Sequence, residues 1–137
     1  MMDEVQPSSV LEAHERRLVA AGWLFAVGTA VHTFDHLRRG QGSVTEQLYW
    51  VGNVSLVLQV VVITLVVTRH RLAPAAAAAV GFPLAIGFAA AHWLPHWSSL
   101  SDSFVDQHVS VFSWFASGLE IVGAVAIGIA GVRALRA

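Results

Sequence analysis

Cysteine and lysine are both missing from this chain. Without cysteine there is no disulfide, no thiolate metal ligand and no cysteine nucleophile. Without lysine, all basic side-chain charge other than histidine rests on eight arginines. Charge itself is scarce: charged residues make up 12 % of the 137-residue sequence, against about 25 % in soluble domains. Hydrophobic residues reach 55 %. That balance argues against an ordinary soluble domain and for a bilayer environment. A net charge of −1 leaves no basic footprint for nucleic acid. The start of the chain is acidic and polar (Asp3, Glu4, Glu12, Glu15) and lacks the basic segment of a cleavable signal peptide. The first apolar run is therefore expected to be retained and to serve as the targeting signal. A Gly-rich phosphate loop, a Gly-x-Ser-x-Gly elbow and a His-Glu-x-x-His helix are also missing, which removes the chemistries those motifs carry.

What is present is four apolar stretches. A helix needs about 20 apolar residues to cross the hydrocarbon. Four segments of that length are expected over about 18–37, 48–68, 75–94 and 109–130. The Val60–Ile63 run favours strands by propensity, but the segment is longer than the roughly ten residues of a soluble strand. Residues 1–17 read as a polar tail, disordered over 1–7, leading into a short amphipathic helix. Ser9 and Glu12 have the spacing of a capping box at its start. The tight Arg69–Pro74 turn makes spans two and three antiparallel neighbours, and Pro83 is expected to kink span three. The expected fold class is an all-α integral membrane protein, a single four-helix bundle domain. Arg16, Arg17, Arg69, Arg71, Arg133 and Arg136 fall on one side and only Arg38 and Arg39 on the other. By the positive-inside rule both termini are then cytoplasmic, in a multi-pass protein of the plasma or inner membrane. Tyr49, Trp50, Trp93 and Trp97 gather at the outer interface, as an aromatic belt does.

The polar residues concentrate at that outer level. His32 and His36 stand four apart, and Asp35 lies between them. On a helix they share one face. His92 and His96 repeat the spacing near the end of span three, and Asp102, Asp106 and His108 lie just before span four. Ionisable groups at membrane depth are costly and point to function. Imidazoles with carboxylates suit a divalent transition metal such as Zn, Cu or Fe. The candidate metal ligands are His32, His36, His92, His96 and His108. Asp35 or Asp106 is the candidate general base towards a metal-bound water, and Asp35 can instead orient an imidazole. The competing reading of each His pair is an interfacial anchor hydrogen-bonded to water. Asp106 equally suits the N-cap of span four, and haem between facing histidines is a further option.

Glu120 lies near the middle of span four, and Gln59 is expected at the same depth as its hydrogen-bond partner. Asp106, Ser110, Ser113, Ser117 and Glu120 are spaced 4, 3, 4, 3, a stripe along one helix face. It serves either as helix–helix glue or as a path for water or protons.

His92-x3-His96 resembles one histidine box of membrane di-iron hydroxylases and desaturases. His32-x2-Asp35-His36 is similar to their His-x2-His-His box, with Asp replacing one His. The resemblance covers two pentapeptides. That family carries more histidines, on a larger bundle and on the cytoplasmic side, whereas the five candidates here face outward.

Three functional classes follow. The first is a metal site at the outer face, in a possible enzyme acting on a lipid or small apolar molecule. The second is transport or sensing of a transition metal or of protons. The third is an accessory subunit of a membrane complex. The partners implied are the lipid bilayer and a lipid or small apolar ligand; a homo-oligomer is compatible, and nucleic acid is not.

Overall fold

A computed structural model describes residues 7–137. They form four α-helices, and no strand occurs among the described residues: α1 (Pro7–Arg39), α2 (Glu46–Val67), α3 (Ala73–His92) and α4 (Val111–Leu135). All four are long and apolar enough to cross a membrane. The expected disorder of the first residues falls largely outside those described. The helix begins at Pro7, ahead of the Ser9 box. Proline in the first helical turn forfeits no hydrogen bond, because the N–H there has no intrahelical partner. The surface helix and the first span are then one continuous rod.

Local chemistry sets the other ends. Thr45 caps α2, its side chain accepting from the Leu48 N–H at 3.1 Å. Arg69 takes a left-handed φ of 55° in the turn to α3. The third helix ends at His92, short of the Leu94 expected from hydropathy. Pro95 disfavours helical backbone in the residue before it, so the chain leaves the helix ahead of Leu94. The cap of α4 is Ser110, whose hydroxyl accepts from the Ser113 N–H. Asp106, expected in that role, sits in the preceding loop.

The central helix is α4, packed along both α1 and α3, while α2 lies to one side and keeps most of its length exposed. Small residues allow the close approach. A methyl group at Gly123 would stand 2.7 Å from Phe25 Cα, and one at Gly131 would stand 2.7 Å from Pro74 O. Backbones this near are how bilayer helices gain packing without a hydrophobic drive between them. The half of the bundle around the α2–α3 turn is apolar, with Phe25, Val62, Val66, Ala77 and Ile127 buried. The buried polar side chains collect towards the opposite end, where α1 and α3 finish and α4 starts.

Candidate metal centre

His32 and His36 occupy one face of the last turns of α1, and His92 closes α3. The chain brings these three together. Ring centroids are 4.7 Å apart for His32 and His36, 4.8 Å for His32 and His92, and 5.6 Å for His36 and His92. One nitrogen from each lies within 4.8 Å of the others. His32 and His92 are each 3 % exposed, and His36 is half-buried.

Two of the rings are held from behind. His32 Nδ1 contacts Glu120 Oε2 of α4, and His92 Nδ1 lies 3.4 Å from Asp102 Oδ2. Where the carboxylate is ionised it only accepts hydrogen bonds, and an Nδ1–H donating to it leaves the lone pair on Nε2. His32 Nε2 is buried and has no hydrogen-bond partner. A carboxylate behind an imidazole, with the far nitrogen free, is the usual surrounding of a metal-bound histidine.

Asp102 is fully buried and gripped from outside the cluster. Arg39 reaches it in a bidentate pair, Nη1 to Oδ2 at 2.5 Å and Nη2 to Oδ1 at 2.7 Å. Gln107 Nε2 adds a bond to Oδ1 at 3.1 Å. The loop carrying Asp102 folds back over the site: its N–H donates to Ala91 O and that of Phe104 to His92 O. The Phe104 ring covers His92 at 4.7 Å, with the Arg39 guanidinium above it at 5.1 Å. Residues 101–104 are all buried, so the loop is a lid.

Burial pushes the Asp102 carboxyl up, but the hydrogen bonds from Arg39 and His92 pull it down further and leave it below its ordinary 3.8. A carboxylate depressed in the folded state contributes stability that is present above its unfolded value and lost only as pH falls through the folded one. The lid is therefore expected to stay docked through mildly acidic pH, read as unchanged protease resistance of residues 93–110. Arg39→Ala leaves the Asp102 charge buried and unpaired, at a cost of about 3–5 kcal/mol. That variant is expected to melt earlier and to be cut in the same loop; a loop as resistant as in the parent would remove Arg39 from this role.

The remaining candidates fall elsewhere. His96 and His108 are exposed and do not join the cluster. The helix that would have placed His96 one turn beyond His92 has already ended, so the second pentapeptide contributes one ring rather than two. Asp106 is exposed too. Its Oδ2 accepts from the His96 backbone N–H at 2.6 Å, a bond that, with one from Ser103, holds its carboxyl below the usual range. Asp106 clamps the loop and stands apart from the rings. Asp35 is fully buried one turn from His32. Arg38 holds its Oδ1 from Nη2 at 2.6 Å and Nε at 3.1 Å, and Oδ2 has no partner.

Gln59 is buried, and its Oε1 accepts from the Thr29 hydroxyl at 2.5 Å. Both adjoin the Glu120 carboxylate, whose closest contact is His32 rather than the Gln59 expected from depth. Along the α4 stripe each serine is engaged. Ser110 and Ser113 accept from Arg38 Nη2 at 2.9 and 3.3 Å, and Ser117 accepts from Trp93 Nε1 at 3.0 Å. These bonds tie α4 to its neighbours, which favours glue over a conduit. Edge contact between His32 and His92 leaves no slot for a porphyrin between them. Arg38 and Arg39, read from the sequence only as topology charges, prove to hold the carboxylates around the site; nothing in the sequence pairs them.

No family model, curated protein or solved structure matches the chain.

Proposed function

We propose that this chain is a multi-pass protein of the plasma or inner membrane that binds one divalent transition metal, Zn, Cu or Fe, through His32, His36 and His92 at the outer face. The observation that carries this reading is the unpartnered, buried His32 Nε2, one of three clustered imidazoles, with carboxylates behind His32 and His92. Three acidic side chains (Asp35, Asp102, Glu120) are buried around the rings, and only Asp35 and Asp102 are paired with a guanidinium. Three protein ligands leave a coordination position open, which is the pattern of catalytic rather than structural sites. Phe88 and Phe104 beside the rings suit a lipid or small apolar substrate.

Transport through the bundle is the weaker reading. Beyond Glu120 the interior is apolar and close-packed around Phe25, Ala124 and Ile127, and among the described residues no buried polar side chain continues a path to the other face. The outward placement rests on the arginine asymmetry.

Elemental analysis of protein purified in detergent is expected to give one transition-metal ion per chain, and a metal-free protein that takes none up would refute the reading. The lack of cysteine makes orientation easy to test. A single cysteine at Ser99 is expected to react with an impermeant maleimide on intact cells, and one at Arg71 only after lysis. The reverse pattern would place the site on the cytoplasmic side.

A further inference from the structure

Two polar atoms at this end of the bundle are buried without a hydrogen-bond partner: His32 Nε2, which takes a metal in the tautomer protonated at Nδ1, and Asp35 Oδ2. They sit one turn apart on α1, on the same face. The donors nearest Asp35 are already engaged. Arg38 gives Nε and Nη2 to Oδ1, and Nη2 is shared with Ser110 and Ser113. Buried acceptors are rarely left unmet. Asp35 is not among the residues whose ligand atoms cluster, so it does not complete the coordination directly. A cation alone satisfies Nε2 and leaves Oδ2 bare. A cation carrying a water satisfies both, because the metal takes the nitrogen lone pair while the water donates a proton to the carboxylate oxygen.

We infer that the fourth ligand of the His32/His36/His92 centre is an exchangeable water that donates a hydrogen bond to Asp35 Oδ2, with Arg38 fixing that carboxylate through Oδ1. This rests on the metal reading above and adds to it. Asp35 is a positioning residue, and the position it marks is where a substrate oxygen or a small anion would displace water.

The test uses the full-length protein loaded with Cu2+ in D2O. Electron spin-echo modulation is expected to show deuterons coupled strongly enough to lie on a bound water. Asp35→Asn keeps the side-chain shape and is expected to retain one Cu2+ per chain. It should alter or lose that deuteron coupling and bind azide about 10–100-fold more tightly, the loss of one charge-assisted bond to the displaced water. Asp35→Glu keeps an acceptor and is expected to keep the coupled deuterons. Wild-type protein holding copper without such deuterons would overturn the inference and leave the metal site standing, as would an Asp35→Asn spectrum and azide affinity identical to the parent. Failure to bind copper at all would overturn both readings.

Discussion

Replacing His32 or His92 with alanine is expected to bring bound metal to background, a loss beyond the about 10–100-fold typical of removing an outer partner. Each ring supplies one of only three nitrogens, and both rings are buried where no other side chain can substitute. His36→Ala is expected to fall nearly as far, although its ring is half-buried and water can fill part of the gap. Glu120→Gln tests the ring from behind. An amide can still contact Nδ1, but it offers a donor as readily as an acceptor and so no longer fixes the tautomer. Affinity should drop within the range for an outer partner and not to zero. His96→Ala and His108→Ala belong in the same series. Both are exposed outside the cluster, and neither should change stoichiometry. Equal loss across the five histidine variants, by elemental analysis on monodisperse protein, would mean that the convergence of His32, His36 and His92 is not what holds the ion.

A large effect on helix packing is expected at Gly123. A side chain there meets the backbone of α1, with Phe25 Cα at 2.7 Å and Phe25 N at 3.1 Å. Backbone cannot rotate aside as a flexible side chain can, so α1 and α4 must separate. Overpacking typically costs about 1–3 kcal/mol, occasionally more, and Gly123→Val should lie at the upper end. The same displacement would carry His32 away from Glu120, since Gly28 and Glu120 form the next contact along that seam. Metal affinity should therefore fall along with the melting temperature. Gly87 is the control: a methyl group there meets nothing within 4 Å, and Gly87→Ala gains helix propensity by about 1 kcal/mol. A Gly123→Val protein that melts with Gly87→Ala would show that the seam is looser than described.

These two experiments touch different layers of what the sequence shows. The four long helices were legible because each is a contiguous apolar run, bounded by arginine, glycine or proline. His32 and His36 were legible as a pair because i and i+4 share a helix face wherever the helix packs. His92 and His96 carried the same spacing, but the inference needed a helix, and Pro95 ends it. Glu120 was legible as a group needing a partner, and Gln59 does adjoin it, while the closer contact with His32 was not legible. Gln59 and His32 are both available at that depth, and the closest contact follows from how α1 and α4 are turned towards each other. Asp102 was legible only as one of several polar residues at that level, and Arg38 and Arg39 only as topology charges, because loop carboxylates and helix-flanking arginines are ordinary on their own.

The sequence by itself determined four bilayer-length helices, a polar end and an apolar end, and a pair of imidazoles on one helix face. Each of these depends on residues close together in the chain. Only the tertiary structure decided which third histidine joins them, which carboxylate stands behind each ring, and that the loop after α3 closes over the site. Those outcomes depend on the rotation and depth of α1 and α3 against α4. Both are set by glycine contacts between residues up to about a hundred positions apart, and no local pattern encodes them.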